Sequence, residues 1–209
     1  MFINKIGYSH LVEMKNCQDF GFEKENIKCV VDGCSEGLHS EVGVKLFCYL
    51  HKDNLLIEST FNKIFNIINI NSIDDIKNYL LFTILLLKED EKRFLIYGCG
   101  DGVIIKQKYD DTFEYENIEQ NNIPKYYAYN YVPIEFLNHY KNGVNIDVYK
   151  YNKDEYKSIG IATDGLNYIL NSEFKEEFEK YLLNRKDFAI KRLINREHKY
   201  FKDDITIVI

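Results

Sequence analysis

The sequence predicts an α+β fold with antiparallel sheets. Strand-like segments come in sets, and helical segments are inserted between these sets in pairs. A regular alternation of single strands and helices would instead favour a doubly wound parallel sheet. The 209 residues are 45% hydrophobic and 15% aromatic, which is enough for a sizeable core. We therefore expect one domain over residues 1–209.

The first half of the chain is predicted to hold a strand followed by three helices. Ile27 to Val31 is a β-rich run that ends at Asp32-Gly33, where glycine allows the backbone to turn. From Ser40 the apolar residues recur at helical spacing, and a second helix is expected near Phe61 to Ile68. Ser72-Ile73-Asp74-Asp75 has the pattern of a capping box and predicts the start of a third helix.

The middle of the chain is predicted to form an antiparallel meander. Its three segments are Leu81 to Leu87, Arg93 to Gly98 and Gly102 to Gln107, separated by a charged turn and a glycine-rich corner. The longest apolar run, Tyr79 to Leu87, is too short to cross a bilayer, which needs about 20 residues. Residues 110–157 are rich in Tyr, Asn and charge, and we expect loops and short strands there.

The last part of the chain repeats the strand-then-aspartate arrangement. Ile159 to Ala162 is strand-like and ends at Thr163-Asp164-Gly165, and Ile205 to Ile209 is a β-branched strand that begins at Asp203-Asp204. Between them one long helix is predicted from a row of apolar residues on one side. The members of this row are Phe174, Phe178, Tyr181, Leu182, Phe188, Leu193 and Ile194.

Four acidic segments lie against these strands, and they suggest a metal site. Their aspartates are Asp19, Asp32, Asp164 and Asp203. A single Asp-Gly pair is a common turn. Four carboxylates at strand ends can converge in a fold, and magnesium and manganese take oxygen ligands while keeping several waters. The sequence therefore favours a metal-dependent hydrolase.

Charge and the first residues limit the partners and the location. The net charge of −6 disfavours a nucleic-acid binder, which needs a concentrated positive face. The densest basic stretch, Arg185 to Lys199, is interrupted by Asp187 and Glu197, and a solvated helix face is favoured over a docking patch for a phosphorylated partner. No signal-peptide pattern follows Met1, so we expect a cytoplasmic protein with no membrane partner.

The cysteines and the missing motifs exclude other kinds of hydrolase. Five cysteines without CxxC spacing indicate reduced, mostly buried thiols. None has an arginine six positions later, as a cysteine-dependent phosphatase requires to cradle phosphate. The sequence also lacks the GxxxxGK[ST] loop of P-loop enzymes and the GxSxG elbow of serine hydrolases.

The acidic segments and their neighbours, taken in order, resemble the metal-dependent protein phosphatases of type 2C, and most closely the small bacterial branch. The resemblance runs from Gly7 to Ile209 and so covers nearly the whole chain. The matching segments are Gly7-Tyr8-Ser9-His10, Cys17-Gln18-Asp19, Val30-Val31-Asp32-Gly33, Gly100-Asp101-Gly102, Ala162-Thr163-Asp164-Gly165-Leu166 and Asp203-Asp204-Ile205-Thr206-Ile207-Val208.

This resemblance implies an α-β-β-α sandwich of two antiparallel sheets flanked by helices. It implies two Mn²⁺ or Mg²⁺ ions, and a metal-bridging hydroxide that hydrolyses phosphoserine and phosphothreonine in a protein substrate phosphorylated by a serine/threonine kinase. The implied metal-site residues are Asp32, which bridges both ions; Gly33, through its carbonyl; Asp164 and Asp203, on one ion; Asp19, through waters; and Asp101, which with Asp164 binds a third, weaker ion.

The chain departs from the family pattern at three positions. Cys34 stands where many eukaryotic members have a histidine thought to protonate the leaving group. His39 lies nearby in the sequence and could take this role, but an exposed histidine at the start of a helix is the favoured interpretation. Met14 stands where those members have a phosphate-binding arginine, so the metals alone are expected to anchor the phosphate. Asp204 replaces the usual asparagine, where it either tightens metal binding or faces solvent.

Two other functions remain open from the sequence. One is a catalytically inactive module that binds a phosphorylated partner, and the other is a phosphatase of a small phosphorylated metabolite. Inactive members of the family normally lose metal-binding aspartates, whereas Asp32, Asp164 and Asp203 are all present here. The active protein phosphatase is therefore the favoured prediction.

Overall fold

Two five-stranded antiparallel sheets form the centre of the protein in a computed structural model that describes residues 1–52, 56–118 and 123–209. One sheet has the strand order β2-β3-β4-β5-β8 and the other β1-β10-β9-β6-β7. The strands are β1 (Phe2–Lys5), β2 (Phe20–Lys24), β3 (Ile27–Gly33), β4 (Phe82–Glu89), β5 (Arg93–Cys99), β6 (Gly102–Lys108), β7 (Phe113–Ile118), β8 (Asp147–Asn152), β9 (Tyr156–Ala162) and β10 (Ile205–Val208). The helices are α1 (Tyr8–Val12), α2 (Ser40–His51), α3 (Ile57–Ile68), α4 (Ile73–Tyr79), α5 (Asn167–Leu170), α6 (Lys175–Leu183) and α7 (Asp187–Arg196).

Apolar side chains fill three layers, which confirms the predicted sandwich. The layer between the sheets joins Val30, Leu85 and Ile96 of one sheet to Ile104 and Ile161 of the other. Helices α2, α3 and α4 bury their apolar faces on the outer side of the first sheet. Helices α5, α6 and α7 do the same on the second sheet. Each sheet is therefore buried on both faces over its central strands, as their nearly continuous hydrophobic sequences require.

The predicted meander is wrong at its third strand. Strands β4 and β5 pair as expected, with Leu86 opposite Tyr97, but β6 leaves this sheet and lies between β9 and β7 in the other. Positive φ angles at Gly100 (107°) and Gly102 (143°) turn the chain at the crossing. Apolar alternation marks a strand but does not say which sheet it joins. The crossing places Asp101 at the junction between the two sheets.

The predicted long helix is in fact two helices. Helix α6 ends at Leu183, and α7 begins at Asp187 after Arg185 adopts a left-handed φ of 50°. Phe178 and Leu193 are buried as predicted, but Phe188 is 80% exposed. The break changes the direction of the chain, so the apolar periodicity no longer points Phe188 at the core.

Other local predictions are confirmed with small changes at the ends. The capping box is present, with the Asp75 amide donating to Ser72 Oγ at 3.1 Å and the Ser72 amide donating to Asp75 Oδ2 at 3.0 Å. Strand β3 continues through Gly33, so Asp32 is still part of the strand and lies opposite Thr83 of β4. The segment 110–157 holds β7, β8 and short 3₁₀ turns, while residues 119–122 lie outside the described part.

All five cysteines are free, and Cys29, Cys48 and Cys99 are buried. Of the helices in the described residues, none is long and apolar enough to span a bilayer.

Candidate metal centre

Four strand ends bring the predicted aspartates into one neighbourhood. Asp32 lies at the end of β3, and Asp19 lies immediately before β2 in the same sheet. Asp164 opens a 3₁₀ turn just after β9, and Asp203 lies shortly before β10 in the opposite sheet. Both sheets therefore contribute carboxylates to the same end of the sandwich.

Asp32 occupies the middle of this group. Its carboxyl group is within hydrogen-bonding reach of the carboxyl groups of Asp19 and Asp164. Burial, followed by the negative charges of Asp19 and Asp164, raises the pKa of Asp32 well above its usual value. Ionising Asp32 is thus unfavourable unless a positive charge is close, and a cation in contact with its oxygens would supply that charge.

Asp19 is held in place by a chain of hydrogen bonds. The side chain is buried, and the hydroxyl of Thr163 donates to its Oδ2 at 2.6 Å. The Thr206 amide donates to the Thr163 hydroxyl at 2.9 Å, and the Asn4 side chain donates to the Asp19 carbonyl at 3.0 Å. Burial and the charge of Asp204 raise the pKa of Asp19. The orientation of the Asp19 carboxyl therefore depends on Thr163, a residue whose role the sequence reasoning did not identify.

Asp164, Asp203 and Asp101 form the second part of the centre. Burial and the charges of Asp203 and Asp101 raise the pKa of Asp164 to about 6. Burial raises the pKa of Asp203, and burial together with the charge of Asp203 raises that of Asp101. Asp164 Oδ1 is fully buried and has no hydrogen-bond partner among the residues that the structure describes. A buried carboxylate oxygen without a partner is costly, and a bound cation would remove that cost.

The glycines of the two Asp-Gly pairs are required by close backbone approach. A Cβ on Gly33 would lie 2.8 Å from the carbonyl oxygen of Gln18, next to Asp19. A Cβ on Gly165 would lie 1.9 Å from the carbonyl oxygen of Asp204. Each glycine therefore lets one acidic segment pack against another, which explains the recurrence of Asp-Gly at these strand ends.

Asp204 does not face solvent, contrary to one of the two sequence expectations. Its side chain is buried, and its two oxygens accept backbone hydrogen bonds from Gly7 at 2.7 Å and from Gln18 at 2.6 Å. His10 Nδ1 lies 3.0 Å from Asp204 Oδ2, an ion-pair distance without hydrogen-bond alignment. Asp204 thus ties the N-terminal segment and the segment before Asp19 to the strand that follows Asp203.

The positions that depart from the family pattern are also explained by their surroundings. Met14 is 94% exposed, so its side chain makes no anchor for phosphate. His39 is exposed and stacks on Tyr79, with ring centroids 5.2 Å apart, as expected for a helix-entry residue. Burial, followed by interactions with Cys34 and the charge of Asp32, raises the pKa of Tyr126. Tyr126 belongs to the segment of weak pattern, so no local signal could identify it.

The donor set fits a hard divalent cation. Asp32, Asp164, Asp203 and the Gly33 carbonyl offer only oxygen atoms, which suit Mg²⁺ and Mn²⁺. Across residues 1–52, 56–118 and 123–209, no three His, Cys, Asp or Glu side chains form a ready-made cage around one point. Such a cage is not required, because these ions keep several waters and often use only one or two carboxylates.

Comparison with known proteins identifies the fold. No family model and no curated protein matches the sequence. Among solved structures, a bacterial serine phosphatase matches with a TM-score of 0.68 and 15% identity, over 99% of this chain and 94% of that one. The catalytic domain of the serine/threonine protein phosphatase PstP, in complex with two manganese ions, matches with a TM-score of 0.64 and 12% identity, over 99% and 94%. The serine/threonine phosphatase Stp1 from Staphylococcus aureus matches with a TM-score of 0.60 and 14% identity, over 99% and 92%.

These likenesses cover almost the full length of each chain. The protein therefore has the fold of the bacterial serine/threonine phosphatases, and the resemblance indicated by the sequence motifs is confirmed at the level of the fold.

Proposed function

We propose that the protein is a metal-dependent phosphatase that hydrolyses phosphoserine and phosphothreonine in protein substrates of a serine/threonine kinase. The observation that carries the proposal is Asp32, whose carboxyl group lies between those of Asp19 and Asp164 with a raised pKa. Repelling carboxylates of this kind are stable in a folded protein only when protonated or paired with cations. The fold shared with phosphatases, one of them bound to two manganese ions, supports the same assignment.

In this proposal the oxygen donors of the centre hold two Mn²⁺ or Mg²⁺ ions. Asp32 and the Gly33 carbonyl lie on the β3 side, and Asp164 and Asp203 lie on the opposite sheet. The ions supply charge that polarises the phosphoryl group and lowers the pKa of water. Asp19, oriented by Thr163, holds the waters around them. Asp101 remains the candidate for a third, weaker ion beside Asp164.

In this proposal Tyr126 gives a proton to the departing alkoxide. Its side chain interacts with Cys34, at the position of the histidine found in many relatives, and the phenol of a tyrosine carries its proton at neutral pH. A general acid matters most when the leaving group is a poor one, such as the hydroxyl of threonine.

Tyr126→Phe is therefore expected to lower kcat for a phosphothreonine peptide by about tenfold to a hundredfold. The loss with p-nitrophenyl phosphate should be much smaller, because nitrophenolate leaves without a proton. Steady-state kinetics on both substrates measure the difference. Tyr127→Phe is the matched control, since its ring packs on Phe61 at a centroid distance of 5.1 Å. Equal losses on both substrates would contradict the role of Tyr126.

The proposed function is tested by adding manganese to metal-free protein and following the hydrolysis of p-nitrophenyl phosphate. We expect activity that saturates with manganese and disappears on adding a chelator. A panel of phosphoserine and phosphothreonine peptides and small phosphorylated metabolites then distinguishes the substrate classes. Hydrolysis that does not depend on a metal would contradict the proposed mechanism. Manganese binding without hydrolysis would favour the inactive phosphate-binding module. A preference for metabolites over every peptide would reject the protein substrate.

A further inference from the structure

A cleft of about 680 Å³ opens directly beside Asp164 and Asp203. It is lined by the turn after β9, by α5, by the segment that leads into α6, and by the 3₁₀ turn before Phe201. Among the residues that line it are Asp164, Tyr168, Glu173, Phe174, Tyr200 and Asp203. Because the cleft shares two aspartates with the candidate metal centre, a group bound there lies next to the reacting phosphate.

Aromatic rings form much of the wall. Tyr168 is 39% exposed and Tyr200 is 63% exposed, so both offer surface to an occupant. Phe174 packs edge-on against Tyr200, with ring centroids 5.8 Å apart. The Phe174 amide donates to Ser172 Oγ at 3.2 Å, and Ser172 Oγ donates to the Ile169 carbonyl at 2.8 Å. These two hydrogen bonds support the corner that carries Phe174.

The charge of the cleft is negative. Three of its lining residues are acidic and none is Lys or Arg. Within the described part of the chain, the exposed Glu173 carboxylate makes no hydrogen bond or ion pair. The neighbouring Lys175 is engaged elsewhere, 3.9 Å from Glu179 and over the ring of Tyr115. Glu173 thus keeps a free charge at the cleft even when cations neutralise Asp164 and Asp203.

We infer that this cleft receives a positively charged side chain of the phosphoprotein substrate, an arginine or lysine close in sequence to the phosphorylated residue. The inference rests on the proposed function. A guanidinium or ammonium group can stack on Tyr168 or Tyr200 while it pairs with Glu173. An acidic side chain is repelled by the same carboxylate. Since an extended peptide advances about 3.3 Å per residue, the occupant lies within a few residues of the phosphate.

The test uses phosphothreonine peptides that differ at one flanking position, which carries Arg, Gln or Glu, scanned over the three residues on each side. With manganese-loaded protein, kcat/KM for the Arg peptide is expected to exceed that for the Gln peptide by about fivefold at one or more positions. The Glu peptide should be slower still. Glu173→Gln should reduce the Arg-to-Gln ratio to near one, and Tyr200→Leu should reduce it partly.

Glu176→Gln is the matched control, because Glu176 is also exposed and lies on α6 outside the cleft. This variant should keep the full Arg preference. Equal kcat/KM for all three peptides, or an Arg preference that survives both Glu173→Gln and Tyr200→Leu, overturns the inference and leaves the phosphatase function intact. Absence of manganese-dependent hydrolysis of both the peptides and p-nitrophenyl phosphate overturns the proposed function and the inference together.

Discussion

Asp32→Asn is expected to abolish manganese-dependent hydrolysis and, in metal-free protein, to raise the melting temperature. Asparagine keeps the shape of the side chain but removes the charge that the proposed ions require, so kcat should fall by about a thousandfold or more. The same change removes the repulsion that Asp32 suffers from Asp19 and Asp164. Its amide can also donate a hydrogen bond to either neighbouring carboxylate.

The two readouts separate this prediction from simple unfolding. A gain of about 1 kcal/mol in the free energy of unfolding corresponds to about 2–4 °C for a chain of this size. The rise in melting temperature on adding manganese should disappear in the variant. Asp154→Asn, the same chemical change at an exposed turn position, should alter neither activity nor melting temperature. A less stable metal-free Asp32→Asn protein, or one that keeps its activity, would refute the assignment of Asp32.

Manganese is expected to stabilise the protein more strongly as the pH rises. The folded-state pKa values of Asp19, Asp32, Asp164 and Asp203 are raised, so the folded state binds more protons than the unfolded chain above about pH 4. These four groups therefore stabilise the metal-free protein at low pH. That stabilisation is lost as the pH rises through their folded-state pKa values. For Asp164, a shift from 3.8 to about 6 corresponds to a loss on the order of 3 kcal/mol.

Bound cations reverse this effect, because they favour the deprotonated carboxylates. Melting temperatures measured from pH 5 to pH 8, with and without manganese, should therefore diverge as the pH increases. His51 acts in the opposite direction, since burial lowers its pKa to about 4 and stability falls as the pH drops below 6.5. Its contribution is the same in both series and cancels in their difference. A manganese-induced rise in melting temperature that stays constant with pH would contradict the prediction. In the Asp32→Asn protein, the melting temperatures with and without manganese should lie closer together.

Local signals in the sequence were sufficient for the parts of the fold that local interactions determine. The capping box at Ser72 and the strand before Asp164 are examples, since each depends on residues a few positions apart. The crossing of β6 to the second sheet depends on which strands compete for its edge, and alternation carries no such information. The break between α6 and α7 occurs at Arg185, without glycine or proline, and so left no recognisable signal.

In the candidate site, too, local sequence signals identified some features and missed those that depend on distant contacts. Aspartates at strand ends could be identified because the strands themselves could be, and their order added the resemblance. The surroundings of each aspartate could not, since they come from distant segments. Thr163 reaches Asp19 across the two sheets, Asp204 binds the amides of Gly7 and Gln18, and Tyr126 arrives from a segment without a clear pattern.

The pairing of β1 with β10 has a consequence for how the protein is made. Phe2 lies opposite Val208, and β10 fills the place between β1 and β9 in its sheet. On the ribosome, the sheet β2-β3-β4-β5-β8 can assemble while the other still lacks this strand. Such long-range pairing is slow to form and leaves strand edges open in the nascent chain. Asp203, which directly precedes β10, therefore joins the cluster around Asp32 only after β10 has been synthesised and has paired with β1 and β9.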